Sequence, residues 1–187
     1  MKKFELTNEF VTNMFGTKLF RIRALVEFGD VEAGELGGYV EKESNLGHDD
    51  NAWVYGDARV YDNALVYDNA RVYGDAQVSG DARVYDNARV YGDAWVYGDA
   101  WVYGNARVCG DARVCGNGDY AYAHGFGSVN RTTTFFRLKD GGVGVRCGCF
   151  YGTLAQFRDK IRETHGETKK AQEYLMLADL MKLRFEK

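Results

Sequence analysis

Residues 52–75 of the chain, AWVYGD ARVYDN ALVYDN ARVYGD, are four consecutive copies of one six-residue unit. Each copy begins with alanine, has valine at its third position and ends with two residues drawn from glycine, aspartate and asparagine. The unit continues without an inserted residue to Asn117, which makes eleven copies in all. An uninterrupted repeat of this kind is typical of a solenoid, in which each copy stacks on its neighbours.

Side chains within one unit alternate between the two sides of a short extended segment. Alanine and valine point to one side, and the variable second residue and the tyrosine point to the other. We expect the small, branched side to form the interior. The two closing residues tolerate a positive φ or hydrogen-bond to their own backbone, so each unit is predicted to be one short strand followed by one corner.

A strand of about four residues is not stable alone, so each strand is expected to pair with the next coil. The repeat resembles the hexapeptide-repeat family of left-handed parallel β-helices, in which three units make one triangular turn. That resemblance covers Ala52 to Asn117 and implies roughly 3.7 turns in a prism ~18 Å tall. Both ends of such a prism expose unpaired strand edges, which predicts a cap at each end.

The flanking segments are predicted to be those caps, which divides the chain into residues 1–51, 52–117 and 118–187. In the first segment, Lys18–Val26 alternates like a strand and Ala33–Val40 is predicted as a turn. An irregular first coil is expected to follow before the repeat begins.

The last segment is predicted to begin with a β-hairpin. Residues 132–138 and 143–150 are β-rich runs joined around Asp140-Gly141-Gly142, a pattern typical of a tight connection. The predicted fold class is therefore mainly β: a left-handed parallel β-helix with an N-terminal β cap, and a C-terminal hairpin followed by two helices.

Two helices are predicted after the hairpin. Thr153 and Gln156 form a capping box for a helix through about Thr164. A second helix is expected from about Thr168 to Arg184, and its apolar stripe must cover either the hairpin or a partner chain.

Two motifs of the last segment, Asn130-Arg131-Thr132-Thr133-Thr134-Phe135-Phe136 and Cys147-Gly148-Cys149-Phe150, are similar to the C-terminal region of hexapeptide-repeat proteins from phages and prophages of bacteria. The resemblance implies a phage or prophage origin. A protein of that origin would act in the host cytoplasm, where it would block a defence protein or hold a nucleotide-like signal.

The composition and charge of the chain exclude several classes of protein. The formal charge is −3, which gives no general attraction to nucleic acid or to an anionic membrane. No apolar run is long enough to predict a membrane span, and the N-terminus has no signal-peptide pattern, so a cytoplasmic location is expected. With no export signal, the four cysteines are predicted to be free thiols.

One residue is a candidate for enzymatic catalysis, as a base for acyl transfer. Hexapeptide acyltransferases resemble this chain in the repeat and generally use a histidine base, but the repeat contains no histidine. His124, directly after the last coil, is the runner-up base for transfer from a coenzyme A donor. The other two histidines, His48 and His165, lie too far apart in sequence for the three-histidine zinc site of the carbonic anhydrase type. No catalytic residue, metal or cofactor is therefore predicted.

Candidate binding residues lie on the predicted outside of the prism. Outward positions repeat every eighteen residues, which stacks arginines, tryptophans and tyrosines into columns that can pair with phosphates or stack on rings. The candidates on the prism are Arg71, Arg89, Arg107, Tyr73, Tyr91, Trp95 and Trp101, and Arg131 of the last segment is a further candidate. The alternative interpretation is a solvated face of tyrosine ladders and screened arginines, because such pairs also stabilise a sheet.

The predicted function is therefore that of a non-enzymatic β-helix binding protein. So many exposed aromatic residues favour a homo-oligomer, with a trimer expected. Its other predicted partner is a host protein or a nucleotide-like small molecule. Nine aspartates against six arginines in the repeat disfavour long nucleic acid.

Overall fold

A computed structural model describes residues 2–127, 129 and 131–186. Met1 and Lys187, the ends of the predicted outer segments, and Asn130 of the tail motif lie outside the described residues. The N-terminal region contains β1 (Phe4–Thr12), β2 (Lys18–Ala24) and β3 (Leu36–Val40).

The repeat forms eleven two-residue strands, one in each unit. They are β4 (Trp53–Val54), β5 (Arg59–Val60), β6 (Leu65–Val66), β7 (Arg71–Val72), β8 (Gln77–Val78), β9 (Arg83–Val84), β10 (Arg89–Val90), β11 (Trp95–Val96), β12 (Trp101–Val102), β13 (Arg107–Val108) and β14 (Arg113–Val114).

The C-terminal region is a small sheet followed by two helices. Its elements are β15 (Tyr120–Phe126), β16 (Arg131–Arg137), β17 (Val143–Cys147), β18 (Phe150–Thr153), α1 (Leu154–His165) and α2 (Lys169–Phe185).

Strand pairing makes the repeat a three-sided parallel coil. The first side carries the order β3-β5-β8-β11-β14, the second β6-β9-β12 and the third β4-β7-β10-β13. Each strand therefore pairs in parallel with the strand three units later, as the eighteen-residue turn predicts. The parallel β-helix is confirmed, while its left-handed sense stays a prediction from the resemblance.

The interior of the coil consists of alanine and valine, as predicted. All eleven alanines and all eleven valines of the repeat are fully buried. The first closing residue has a positive φ in ten of the eleven units, for example 57° at Asp62 and 73° at Gly74, and the exception is Gly116 in the last unit. A left-handed residue at these corners is what turns the chain from one side to the next.

Tyrosines stack into ladders on the outside of two sides. Tyr73 and Tyr91 stack on the third side with ring centroids 4.8 Å apart. On the second side Tyr67 and Tyr85 stack at 5.1 Å, and Tyr85 and Tyr103 at 5.3 Å. These spacings match the distance between paired strands, so the ladder follows from the coil's rise per turn.

Half-buried tyrosines on the outside of the coil make stability depend on alkaline pH. Burial raises the pKa of Tyr67, Tyr73 and Tyr85, and it raises the pKa of Tyr55 to about 12. A tyrosine in the unfolded chain ionises near pH ~10, so above that pH the unfolded state loses protons first. Stability should therefore be fully present below pH ~10 and fall as the pH rises through the folded-state values.

Tyrosinate absorbance and circular dichroism, followed together against pH, check this expectation. We expect part of the tyrosinate signal to develop late, with Tyr55 near pH 12, and the β-sheet signal to disappear as it does. Complete ionisation at the ordinary tyrosine pKa, in a chain that keeps its fold, would contradict the burial of the ladders.

The N-terminal cap differs from the prediction in three ways. Leu36–Val40, predicted as a turn, is a strand that pairs in parallel with β5 and extends the first side. Trp53, predicted to line an outer face, is fully buried because Phe4 and Phe28 pack edge-on against its ring. The strand β1 was not predicted, and it pairs antiparallel with β2.

Lys3 connects the N-terminal cap to the first coil through hydrogen bonds. Its buried ammonium group donates hydrogen bonds to the backbone carbonyls of Ala52, Asp49 and Asp50, at 2.9, 3.4 and 3.3 Å. Burial lowers the pKa of Lys3 to about 8.

The C-terminal sheet confirms the predicted hairpin and adds a strand on each edge. Its antiparallel order is β15-β16-β17-β18. Both helices begin where the sequence predicts, with Thr153 and Thr168 as N-caps. The buried stripe of α2 includes Tyr174, Ala178 and Met181 and packs in one cluster with Phe135 and Val145 of the sheet, so the helix covers the hairpin.

Neither helix in the described part of the chain is long and apolar enough to cross a membrane. The division into three segments stays a prediction.

Candidate functional site

A groove of about 460 Å³ lies where the third side of the coil meets the C-terminal sheet. The coil contributes Asn87, Arg89, Asn105 and Arg107. The sheet contributes His124, Arg131, Thr132 and the glycine at position 148. We refer to these eight residues as the arginine groove.

Strand register sets the two arginines of the coil side by side. Arg89 and Arg107 are register partners in the parallel pair β10 and β13, so their side chains leave the sheet one strand spacing apart, roughly 4.8 Å. Both occupy the outward position of their units. Their guanidinium groups therefore emerge from the same face in the same direction.

The C-terminal sheet is joined to the last rung of this side. The backbone N–H of Arg107 donates to Thr134 Oγ1 at 2.9 Å, so β16 lies against the exposed edge of β13. The register of β15 and β16 shifts between Ala123 and Phe126. At this irregularity His124 Nδ1 and Thr132 Oγ1 form a hydrogen bond of 2.9 Å, which places the imidazole at the groove.

The position of the Arg131 guanidinium depends on the absence of a side chain at position 148. A Cβ added to Gly148 would overlap the Arg131 guanidinium, so that group would have to move away from its present position. Gly148 also has φ +60°, a conformation that favours glycine. The tight turn between β17 and β18 therefore leaves the space that the Arg131 guanidinium occupies.

The groove is positively charged because three arginines and no acidic residue line it. Among the described residues, no carboxylate forms an ion pair with Arg89, Arg107 or Arg131. The corner that precedes this side ends in asparagine in every turn, at Asn51, Asn69, Asn87 and Asn105, whereas the next corner ends in aspartate at Asp57, Asp75, Asp93 and Asp111. The same corner begins with aspartate in three of the four turns, at Asp50, Asp68 and Asp86. The Asp86 carboxylate accepts a hydrogen bond from the backbone N–H of Gly104 at 3.0 Å and forms no ion pair with the groove arginines among the described residues.

Arg71, a third candidate of the same column, is already paired. Its Nη1 donates to Asp30 Oδ2 at 2.7 Å, and Tyr55 donates to the other oxygen of Asp30 at 3.0 Å. Burial is the largest single influence on Asp30 and opposes its ionisation, but the hydrogen bonds from Arg71 and Tyr55 together with the Arg71 charge hold the pKa of that carboxyl below its ordinary value. Arg71 does not line the arginine groove.

Tyr73 and Tyr91 stand beside the arginine column on the third side. Both rings are half-buried. Burial raises the pKa of Tyr91 well above its ordinary value, and its hydrogen bond with Cys109 adds to that shift. These two phenols are neutral at physiological pH and leave the charge of the groove unchanged.

Trp95 and Trp101 lie on the other two sides of the coil, so the predicted residues do not form one site. Arg113 stacks on Trp95 with its guanidinium carbon 4.5 Å from the ring centroid, and Arg83 stacks on Trp101 at 5.0 Å. The structure brings together Arg89, Arg107 and Arg131, and it adds the runner-up base His124 to the same groove.

None of the four cysteines lines the arginine groove, although Cys147 and Cys149 flank the glycine at position 148. All four are free thiols. Cys147 ends β17, but Cys149 lies in the turn after it, so the two do not share one strand face. Among the described residues, no group of three or more His, Cys, Asp and Glu side chains is arranged to hold a metal ion.

The sequence carried signals for groove residues that were not predicted. Asn87 and Asn105 recur every eighteen residues at one corner, a pattern that separates this side from the other two. Thr132 and Gly148 had no such signal, because their place beside the coil depends on how the C-terminal sheet docks.

A family model described as the YdcK β-solenoid repeat matches the chain seven times. The matches cover residues 52–67, 58–74, 64–80, 76–88, 82–98, 88–104 and 100–116. The matched segment is the coil itself. The protein is therefore a repeat β-helix protein. No curated protein matches the chain.

Proposed function

We propose that this protein is a non-enzymatic β-helix binding protein that holds a phosphate-bearing small molecule in the arginine groove. The observation that supports the proposal is the convergence of three guanidinium groups without carboxylate partners among the described residues. Guanidinium groups bind phosphate oxygens with paired, charge-assisted hydrogen bonds. The groove, at about 460 Å³, lies within the size range of small-molecule sites.

A nucleotide-like ligand suits the groove better than a long nucleic acid. Thr132 and His124 supply polar groups beside the three cations, and Asn87 and Asn105 supply amides that recognise neutral polar atoms. Beyond the groove, aspartates line the neighbouring corners and would repel an extended phosphate backbone. Self-association as a trimer, a phage or prophage origin and a host protein partner stay predictions from the sequence.

Calorimetry with inorganic pyrophosphate, adenosine diphosphate and adenosine tests the proposal. We expect pyrophosphate and adenosine diphosphate to bind and to raise the melting temperature, because a ligand of the native state stabilises it. Affinity should fall as salt is added, since the contacts are ionic. Adenosine, which has no phosphate, should bind at least about tenfold more weakly. No heat and no melting shift with pyrophosphate would contradict the proposal.

Acyl transfer from a coenzyme A donor is the second candidate function, because His124 lines the same groove as the arginines. Its hydrogen-bond partner is the Thr132 hydroxyl. Catalysis by this histidine predicts measurable acyl transfer that His124→Ala abolishes. The binding function predicts instead that His124→Ala leaves pyrophosphate affinity within a few-fold of the wild-type value and that no acyl product forms.

A further inference from the structure

The first side of the coil lacks one ring of the tyrosine ladder that the other sides carry. Eight of the eleven units have tyrosine at the fourth position, but on this side the residues in order are Tyr61, Ser79, Tyr97 and Cys115, so the column is interrupted between two tyrosines. Tyr61 and Tyr97 stand two strand spacings apart, roughly 9.6 Å. Ser79 has a small side chain without a ring, so a space one ring thick remains between Tyr61 and Tyr97.

A cleft of about 600 Å³ lies over this gap. Its outer wall is the tip of the β1–β2 hairpin, where Met14 and Phe15 are 81% and 78% exposed. The tip is held by Asn13, whose Oδ1 accepts hydrogen bonds from the backbone N–H groups of Phe15 and Thr17, at 3.0 and 2.9 Å. Two large apolar side chains are thus presented to solvent and to the gap by an ordered turn.

The inner wall of the cleft is aromatic. Trp95 lies one strand from Gln77 and one strand from Arg113, and the guanidinium of Arg113 covers its ring. Arg113 is fixed there by hydrogen bonds from Nη1 to the carbonyls of Ala112 and Asp93, at 2.8 and 2.9 Å. The Trp95 ring is therefore held in place before any ligand arrives.

Positive charge surrounds the same cleft. Arg59, Arg113 and Lys139 line it, and within the described part of the chain none of the three forms an ion pair with a carboxylate. Gln77 accepts a hydrogen bond from the Tyr61 hydroxyl at 3.2 Å through Oε1, which directs its amide donor elsewhere. The cleft thus combines aromatic and apolar walls with cationic ends.

We propose that this cleft is a second binding site, for a planar aromatic molecule that carries an acidic group. The ring takes the place of the absent tyrosine above Ser79, between Tyr61 and Tyr97, and Phe15 covers its outer edge. The acidic group pairs with the cations at the ends of the cleft. A ring at that height lies about 4.8 Å from each neighbouring ladder position, within the range of offset stacking. This site shares no residue with the arginine groove, so it goes beyond the proposed function.

Indole-3-acetate is the probe for this site, with indole-3-acetamide as the uncharged match. We expect the acid to bind the wild-type protein at millimolar concentration and the amide to bind at least about fivefold more weakly. Ser79→Tyr restores the residue that most units have, so the variant should fold and fill the gap. It is expected to weaken indole-3-acetate binding at least about tenfold, whereas the matched variant Ser79→Ala keeps the wild-type affinity.

A second variant keeps the test independent of how Ser79→Tyr folds. Phe15 is exposed at the hairpin tip, so Phe15→Ser leaves the core intact and should weaken the probe several-fold. The proposal is overturned if indole-3-acetate does not bind the wild-type protein, if the amide binds equally well, or if Ser79→Tyr and Phe15→Ser both keep wild-type affinity. Pyrophosphate binding at the arginine groove should be unchanged in all these variants, which separates the two sites.

Discussion

Val84→Asp is expected to abolish the folded coil. Val84 is fully buried and pairs with Val66 and Val102 in the middle of the second side. An aspartate there would enter an interior made of alanine and valine, with no polar partner to satisfy it. Burying such a group costs several kcal/mol, about as much as a small protein's whole stability. Each coil is stable only when it is stacked on its neighbours, so unfolding of the central coil should destabilise the coils on both sides of it.

The matched control is Arg83→Asp, which changes the preceding residue of the same strand. Arg83 is exposed and points outward, so its replacement by aspartate should cost less than about 1 kcal/mol. Circular dichroism and thermal unfolding of the two variants check the expectation. Cooperative unfolding of Val84→Asp near the wild-type temperature would contradict the assignment of alanine and valine to a closed interior.

Arg89→Glu is expected to cause the largest loss of ligand binding. The substitution removes one of three cations from the arginine groove and adds a carboxylate facing the other two. Hydrogen bonds between charged groups contribute about 1.5–3 kcal/mol each, and repulsion adds to that loss. Pyrophosphate should therefore bind at least about 100-fold more weakly, as measured by calorimetry.

Arg83→Glu is the matched control for this variant. Arg83 and Arg89 occupy the same position in adjacent units, both are exposed, and the two substitutions change the net charge equally. They differ in the side of the coil on which they lie. Equal losses of pyrophosphate affinity would mean that only the overall charge matters, and would contradict a localised site.

The coil was predictable because the repeat specifies it at every level. The alanine and valine positions define the interior, and the closing pair at Asp62-Asn63 or Gly74-Asp75 defines a corner with a residue of positive φ. The spacing of eighteen residues also aligns Arg89 with Arg107. Local pattern and global fold agree there, which is the condition under which sequence predictions succeed.

The caps and the groove depended on contacts that no local pattern records. β1 contains polar residues along much of its length and was missed, although Phe4 packs on Trp53 and buries it. Arg131 is far from Arg107 in sequence, and the two meet only because Thr134 accepts a hydrogen bond from the backbone of β13. No local sequence pattern shows which segments dock against each other. The sequence therefore indicates candidate residues for the groove but not how they are arranged.

The most direct test of the arginine groove is a magnetic resonance titration of the arginine side-chain Nε–Hε signals with pyrophosphate. The signals of Arg89, Arg107 and Arg131 are expected to shift together with one saturable affinity. Arg71 and Arg158, already paired with Asp30 and Asp179, should stay where they are. A titration that leaves the three groove signals unchanged, or that moves the paired arginines equally, would contradict the account.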